Sequence, residues 1–282
     1  MKTQSPDTSL DAELVLIEMI RKAPIHKRFA FVQSWTASMF EAGVQYIWQL
    51  YPHATDEEVK LLFIERQYGK ELTDELRRAL NVNGIQLSDT PEYQKAIRPL
   101  VKLFEELDVP YALSGSLASS LYGLQRATLQ VDFIADLNQK HFLTLFTHLK
   151  DGYWLQRETI EAALMQQSSF PLVHLETLLK VTITLPGNLS MGQQVFHRVR
   201  NVSLIEGTQP TTVLSPEQTI LLLLETYKNN DGRDDDVWYD LLGIAKVQGA
   251  ALDIPFLAQQ SAALGDTTLL KRMLIDAGLQ DK

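Results

Sequence analysis

The fold is decided by the stretch Tyr111-Ala-Leu-Ser-Gly115-Ser116-Leu-Ala-Ser-Ser-Leu-Tyr-Gly123, in which a short apolar run gives way to helical spacing at a Gly-Ser pair. We predict that a strand ends near Ser114 and that a helix follows over residues 116–122. The free N–H groups and the positive dipole end of such a helix can hold a phosphate, and glycine lets the anion approach the backbone. Gly115 and Ser116 are therefore candidates for phosphate binding, although a tight connection without a ligand has the same pattern.

The next strand is predicted over residues 131–135, within Arg126-Ala-Thr-Leu-Gln-Val-Asp132-Phe-Ile-Ala. It carries Asp132, and a carboxylate beside the Gly-Ser turn is the kind of hard oxygen ligand that Mg²⁺ prefers. Asp132 is therefore the candidate metal ligand, and the alternative is a half-buried acid paired with Arg126. Two further strands are expected over residues 170–175 and 179–185, joined as a hairpin, and another around residues 202–205.

Helical spacing dominates both ends of the chain. Before residue 90 it predicts a short helix around residues 14–20, a long helix between Pro24 and Pro52, and a helix from the capping box of Thr55 and Glu58 to Leu76. The long helix carries an apolar stripe of Phe29, Val32, Met39 and Phe40, which is interpreted as part of the core, with a dimer contact as the alternative. The stretch Asp89-Thr-Pro-Glu92 indicates another helix start, capped by Thr90 with Pro91 in the first turn. Between the predicted strands, a helix is also expected over residues 137–150, and at the C-terminal end helices are expected over residues 216–229, 234–247, 253–263 and 267–277.

This alternation predicts an α/β (α+β) fold. We expect a small mixed sheet flanked by helices, with a helical C-terminal cap, preceded by an all-helical N-terminal domain. The predicted boundaries divide the chain into residues 1–88 for the helical N-terminal domain, 89–214 for the α/β domain and 215–282 for the cap.

Composition narrows the possible partners and compartments. The 282 residues include 26 Lys and Arg against 35 Asp and Glu, a net charge of −9, which disfavours general nucleic-acid binding. There is no cysteine, so disulfides, thiolate metal sites and thiol nucleophiles are excluded. No apolar run approaches the ~20 residues of a membrane span, and the first residues lack the apolar core of a signal peptide. We expect a cytoplasmic protein without a membrane partner.

At the Gly-Ser turn and Asp132, the sequence resembles the nucleotidyltransferase-fold superfamily, in its minimal and AbiEii-like branch, over residues of about 105–277. The resemblance implies a sheet of nucleotidyltransferase type, with NTP and Mg²⁺ as ligands. It implies that Gly115 and Ser116 bind the nucleotide and that Asp132 binds the metal. The family pattern places a carboxylate at each of the positions of Gln130, Asp132 and Thr182, and here only Asp132 is acidic.

The same resemblance suggests further site residues outside the turn. In AbiEii-like proteins a lysine and a later aspartate belong to the active site, and Lys228 and Asp240 occupy similar positions here. Together with Asp132, they are the candidate catalytic residues. Arg126 and Lys180 are the further candidates for nucleotide binding, because cationic side chains near the turn can reach a phosphate.

Two functions remain open from the sequence. One is a degenerate nucleotidyltransferase-like protein that keeps a cleft for a nucleotide, a phosphate or a partner, because losing carboxylates removes the charge that grips Mg²⁺. The other is an active Mg²⁺-dependent enzyme that moves a nucleoside monophosphate from NTP to a hydroxyl of a protein, tRNA or small molecule, in a toxin–antitoxin type system. The N-terminal helices are expected to dock a protein partner or a second copy.

Overall fold

A mixed sheet of seven strands lies at the centre of the computed structural model, which describes residues 1–4 and 7–280. The strand order is β3-β4-β5-β2-β1-β7-β6, with β1 parallel to β7, β2 parallel to β5 and the other neighbours antiparallel. The strands are β1 (Tyr111–Ser114), β2 (Gln130–Ala135), β3 (Tyr153–Trp154), β4 (Ser169–His174), β5 (Lys180–Thr184), β6 (Val199–Val202) and β7 (Thr211–Leu214). The chain therefore has the expected mixed α/β fold.

Helices cover the sheet and make up most of the two ends of the chain. The N-terminal helices are α1 (Leu10–Lys22), α2 (Ile25–Leu50), α3 (Asp56–Tyr68), α4 (Lys70–Asn83) and α5 (Tyr93–Glu106). Within the α/β part lie α6 (Gly115–Tyr122), α7 (Phe142–Leu149) and α8 (Arg157–Gln166). The C-terminal helices are α9 (Pro216–Asn229), α10 (Asp235–Gln248), α11 (Ile254–Leu264) and α12 (Thr267–Ala277), close to their predicted limits.

The central strands bury one face and turn the other toward a cavity. In β2 the first and third residues, Gln130 and Asp132, are partly exposed, in β5 every second residue from Lys180 to Thr184 is, and the other residues of both strands are buried. This alternation follows the two-residue period of a strand, which sends successive side chains to opposite faces. The register places Ser114 opposite Asp132 and Asp132 opposite Thr182, so these three residues share one face of the sheet.

Several sequence predictions need correction. The helix predicted from Thr55 to Leu76 is two helices, because Gly69 adopts a positive φ of 88° between α3 and α4. The predicted Thr90 cap is wrong: α5 begins at Tyr93 after Glu92, and the preceding segment is held by a bond from Ser88 N–H to the Glu176 carbonyl. The helix predicted over residues 137–150 is a 3₁₀ turn followed by α7. The strands β3 and β7 and the helix α8 were not predicted.

The hydrophobic core is continuous across the predicted boundary near residue 88. One cluster of buried side chains extends from Phe29 in α2, through the sheet, to Ala277 in α12. The hydroxyl of Tyr68 donates to the carbonyls of Leu129 and Leu178, both at 3.0 Å, which joins the N-terminal helices to the sheet. The three-domain division stays a prediction. None of the helices in the described part of the chain combines the length and the apolar composition that crossing a membrane requires.

A buried ion pair joins the two ends of the chain. Lys246 of α10 lies with its ammonium 2.5 Å from the carboxylate of Glu13 in α1, and both side chains are almost completely buried. The same ammonium donates to the carbonyl of Lys2. Because a buried charge is costly without its partner, each member of this pair requires the other.

We predict that Glu13→Ala lowers the free energy of unfolding by about 3 kcal/mol or more, since it leaves the Lys246 ammonium buried and unpaired. Urea titration followed by circular dichroism measures this loss. The matched control is Glu18→Ala on the same helix, where the carboxylate is exposed and its ion pairs with Arg21 and Lys22 contribute ~1 kcal/mol or less. Equal losses for the two variants would contradict the proposed importance of the pair.

Candidate functional site

The site begins where β1 passes directly into α6 at Gly115. Gly115 has a positive φ of 62°, which only glycine adopts without strain. A Cβ atom at this position would lie 2.1 Å from Oδ2 of Asp132, closer than any real contact. Glycine is therefore required twice, once by the backbone turn and once by the carboxylate against it. The carboxylate and the start of the helix lie on the same side of the sheet, as the phosphate-site hypothesis requires.

The three positions expected to carry carboxylates come together beside this turn. The side-chain amide of Gln130 donates to Oδ1 of Asp132 at 2.6 Å, and its nitrogen also lies 3.4 Å from Oγ1 of Thr182. An ionised carboxylate only accepts hydrogen bonds, so it orients the amide with its NH₂ group toward Asp132. The arrangement holds one negative charge where three carboxylates would cluster.

Asp132 is an acid whose surroundings oppose its ionisation. Asp132 is only partly exposed to solvent, and burial raises the pKa of its carboxyl group to about 6. Hydrogen bonds from the Gln130 amide and the Ser116 backbone N–H, together with the positive charges of Lys180 and Arg126, work in the opposite direction on this pKa. Near neutral pH the group is largely ionised, at a cost in stability that folding must offset.

Arg126 is paired with Asp240 rather than with Asp132. Its guanidinium makes a two-pronged contact with the Asp240 carboxylate, with Nε to Oδ1 at 2.9 Å and an Nη to Oδ2 at 3.1 Å. Asp240 is 2% exposed, and burial raises the pKa of its carboxyl above the usual range while Arg126 counteracts the rise. Arg126 also lies 3.9 Å from Asp236. This pair fixes α10 against the turn that leads into β2.

Most of the predicted site residues line one cavity of about 420 Å³. Gly115, Ser116, Arg126, Asp132 and Asp240 all line it, although they come from four separate segments of the chain. The Ser116 hydroxyl is already engaged, since it donates to Oγ1 of Thr128 at 3.1 Å. A ligand at this turn would therefore be recognised by backbone N–H groups, the Arg126–Asp240 pair and Asp132.

The opposite wall contains polar residues that the sequence analysis missed. They are Glu225, Thr226 and Asn229 of α9, Asn188 after β5, and Asp234 at the start of α10. Of these, Glu225 and Thr226 are adjacent on α9, and Asn229 follows them by four and three residues, which places all three on one side of that helix. This polar stripe is a signal that was present in the sequence, but only the packing shows that it faces the turn at Gly115.

The structure does not bring the two candidate lysines into the cavity wall. Lys228 lies between Thr226 and Asn229 in α9 but points to another side of that helix, where its ammonium lies 2.9 Å from Asp266 and 3.3 Å from the Leu264 carbonyl. Lys180 begins β5 opposite Gln130, partly exposed, and acts on Asp132 through its charge. Of the seven predicted site residues, these two lysines are the ones that do not line the cavity.

The donor set does not suit a Mg²⁺ ion. Within residues 1–4 and 7–280, no group of three or more acidic, histidine or cysteine side chains is placed to hold a metal. Oδ1 of Asp132 accepts from the Gln130 amide, and Asp240, another acid of the cavity, is bonded through both oxygens to Arg126. One carboxylate with an amide and a hydroxyl supplies too little charge for the ligation that Mg²⁺ prefers.

Neither the models of known protein families nor the curated proteins match this chain. What the cavity can bind is therefore inferred from its geometry and charge.

We predict that Asp132→Asn raises the free energy of unfolding by about 1–2 kcal/mol near pH 7.5, because it removes a buried charge while an amide oxygen still accepts from Gln130. In the folded protein the pKa of Asp132 is about 6, above its ordinary value of 3.8. Between pH 3.8 and pH 6 the folded state therefore binds more protons than the unfolded state. The wild type therefore regains this stability as the pH falls through 6, and the advantage of the variant disappears near pH 4.

Urea titrations across this pH range measure the effect. Asp151→Asn, which changes an exposed acid, is the matched control and leaves the free energy of unfolding nearly constant. If Asp132→Asn instead lowered the free energy of unfolding at pH 7.5, the ionised carboxylate would be shown to stabilise the fold rather than to destabilise it.

Proposed function

We propose that the chain is a nucleotidyltransferase-like protein with a degenerate metal site, and that its cavity binds a phosphate-bearing nucleotide without Mg²⁺. One observation carries the proposal. The strand–Gly-Ser–helix turn packs its backbone against Oδ2 of Asp132, and Oδ1 of the same carboxylate accepts a hydrogen bond from the neutral amide of Gln130. The amide thus supplies hydrogen-bond donors where a metal ion would otherwise neutralise the acid.

Binding at this site depends on the start of α6. The first turn of a helix presents free N–H groups and the positive end of its dipole, and α6 begins inside the cavity at Gly115. The Asp132 carboxylate already lies against Gly115 and accepts from the Ser116 N–H, so a phosphate oxygen would reach the remaining N–H groups of this first turn from the cavity. Arg126 lies in the same wall and adds a planar set of donors beside the phosphate.

The charge of the cavity restricts the ligand. Four acids line it, namely Asp132, Glu225, Asp234 and Asp240, against the single cation Arg126 among the described lining residues. Without a metal, a triphosphate would bring further negative charge close to these acids, whereas a monophosphate brings about two charges at most. We infer that a nucleoside monophosphate is preferred over the corresponding triphosphate. We expect the polar groups of α9 to hydrogen-bond to the sugar and base.

The binding prediction is tested by isothermal titration with AMP and ATP in EDTA and then in Mg²⁺. We expect binding in EDTA, tighter for AMP, and no gain for AMP on adding Mg²⁺. Asp132→Asn removes a negative charge beside the phosphate and is expected to increase the affinity for AMP by about 5- to 50-fold, as for a charge pair at a partly buried site. Asp151→Asn serves as the control, with unchanged affinity. Binding of ATP that requires Mg²⁺ would overturn the metal-free site.

A second prediction concerns the lost carboxylates. Restoring them with Gln130→Asp and Thr182→Asp places three acids within contact of one another, because Asp132 pairs with Thr182 and lies two residues from Gln130 on the same face. We expect this variant to be less stable without metal and to gain affinity for Mn²⁺ by about 100-fold or more, since each carboxylate adds both charge and a ligand atom.

Mn²⁺ binding is followed by electron paramagnetic resonance and by the rise in melting temperature. The matched control is Gln130→Asn with Thr182→Ser, which keeps an amide and a hydroxyl and is expected to show no gain. Transfer of label from NTP to any acceptor by the wild type, abolished in Asp132→Ala, would instead support the active enzyme. Failure of the restored variant to bind Mn²⁺ would show that these positions do not form a metal pocket.

A further inference from the structure

The long helix α2 presents an exposed apolar stripe on the side away from its buried residues. We define the α2 stripe as Phe31, Trp35, Met39, Ala42, Tyr46 and Leu50. These residues recur every three or four positions, which places them on one face of the helix. The rings of Phe31 and Trp35 pack 4.9 Å apart. The predicted core stripe is confirmed for Phe29, Val32 and Phe40, which are buried, whereas Met39 belongs to the exposed face.

This face has the composition of a protein interface. Between Phe31 and Leu50 the single charged residue is Glu41, which lies on another side of the helix by the 100° rotation per residue. Interface centres are depleted in charged residues and enriched in aromatic residues and methionine, and the stripe contains both. Exposed apolar residues are ordinary when scattered, but a continuous row along a helix marks a contact site.

The size of the face suits a dimer. The five large side chains of the α2 stripe expose between 37% and 52% of their area. At 150–250 Å² for a whole aromatic side chain, this amounts to roughly 500 Å² of apolar surface. A stable interface buries about 800 Å² on each partner. The exposed polar residues alongside, Ser34, Ser38, Gln45 and Gln49, supply the remainder as a rim.

We propose that the α2 stripe is the contact between two copies of this chain, with the two α2 helices antiparallel about a two-fold axis near residue 40. In this register Ser38 of one copy faces Ala42 of the other, and these small residues let the helices approach closely. Trp35 then meets the region of Tyr46 in the second copy, on both sides of the axis. Aromatic anchors therefore flank a narrow centre, which makes the surface complementary to itself.

The charges at the ends of α2 agree with this arrangement. Exposed Lys27, at the start of the helix, reaches the level of residue 53 of the second copy. The next turn there is the acidic start of α3, where Glu57 is exposed. Opposite charges thus meet twice by symmetry, and the antiparallel helix dipoles also attract. The inference is independent of the proposed function, because no residue of the α2 stripe lines the cavity.

Sedimentation velocity over a concentration series tests the proposal on the full chain. We expect the wild type to dimerise and Trp35→Glu to be monomeric at the same concentrations. Because Trp35 is 49% exposed, the urea midpoints of the two proteins agree once the wild type is diluted below its dimerisation concentration. The matched control is Trp48→Glu on the same helix. Trp48 is 37% exposed but lies about 140° around the helix from Trp35, so this variant remains dimeric.

A charge reversal tests the register. Lys27→Glu and Glu57→Lys are each expected to weaken the dimer by about 2- to 10-fold, as for two exposed ion pairs, and combining them restores the wild-type affinity. A monomeric wild type, or a Trp35→Glu protein that still dimerises, would overturn the proposal. A double reversal that is no better than the single variants would exclude the antiparallel arrangement.

Discussion

The contact between the Gly115 backbone and the Asp132 carboxylate is the constraint on which the site depends. It requires the antiparallel register of β1 and β2, which places Ser114 opposite Asp132, and the positive φ that turns the chain into α6. No side chain fits between the two groups. The start of α6 and a recessed acid are consequently held at van der Waals distance, and the same burial raises the pKa of Asp132.

Two ion pairs then determine where the C-terminal helices lie. Arg126 bonds Asp240 through both carboxylate oxygens, and Lys246 bonds Glu13, so α10 is attached both to the sheet and to α1. Loss of Arg126 would leave the Asp240 carboxylate buried and unpaired, and loss of either Lys246 or Glu13 would leave its partner so, which costs far more than an exposed pair contributes. These contacts bring the polar stripe of α9 across from the Gly-Ser turn, and the cavity is the space between them.

The neutral side chains at positions 130 and 182 explain the chemistry that we propose. With three carboxylates, the apo site would repel itself and a divalent metal would relieve the repulsion. With neutral residues at positions 130 and 182, the Asp132 carboxylate accepts hydrogen bonds from the Gln130 amide and the Ser116 backbone N–H. The remaining excess of acids in the cavity favours a ligand of low negative charge. Membership of the nucleotidyltransferase superfamily stays a prediction from the sequence.

The strand–turn–helix at Gly115, the strand of Asp132 and the limits of the four C-terminal helices could be predicted from the amino-acid sequence, because these depend on local spacing, caps and glycine. Packing between distant segments sets the rest: Arg126 pairs with Asp240, the polar residues Glu225, Thr226 and Asn229 face the turn, and Lys228 does not. Short strands such as β3 and β7 were also hidden, since two to four residues carry little periodicity and their pairing partners are distant in the chain. A rotation of 100° per residue separates Lys228 from its cavity-lining neighbour Asn229, and which of them faces a ligand is set by the packing of the whole helix rather than by either residue.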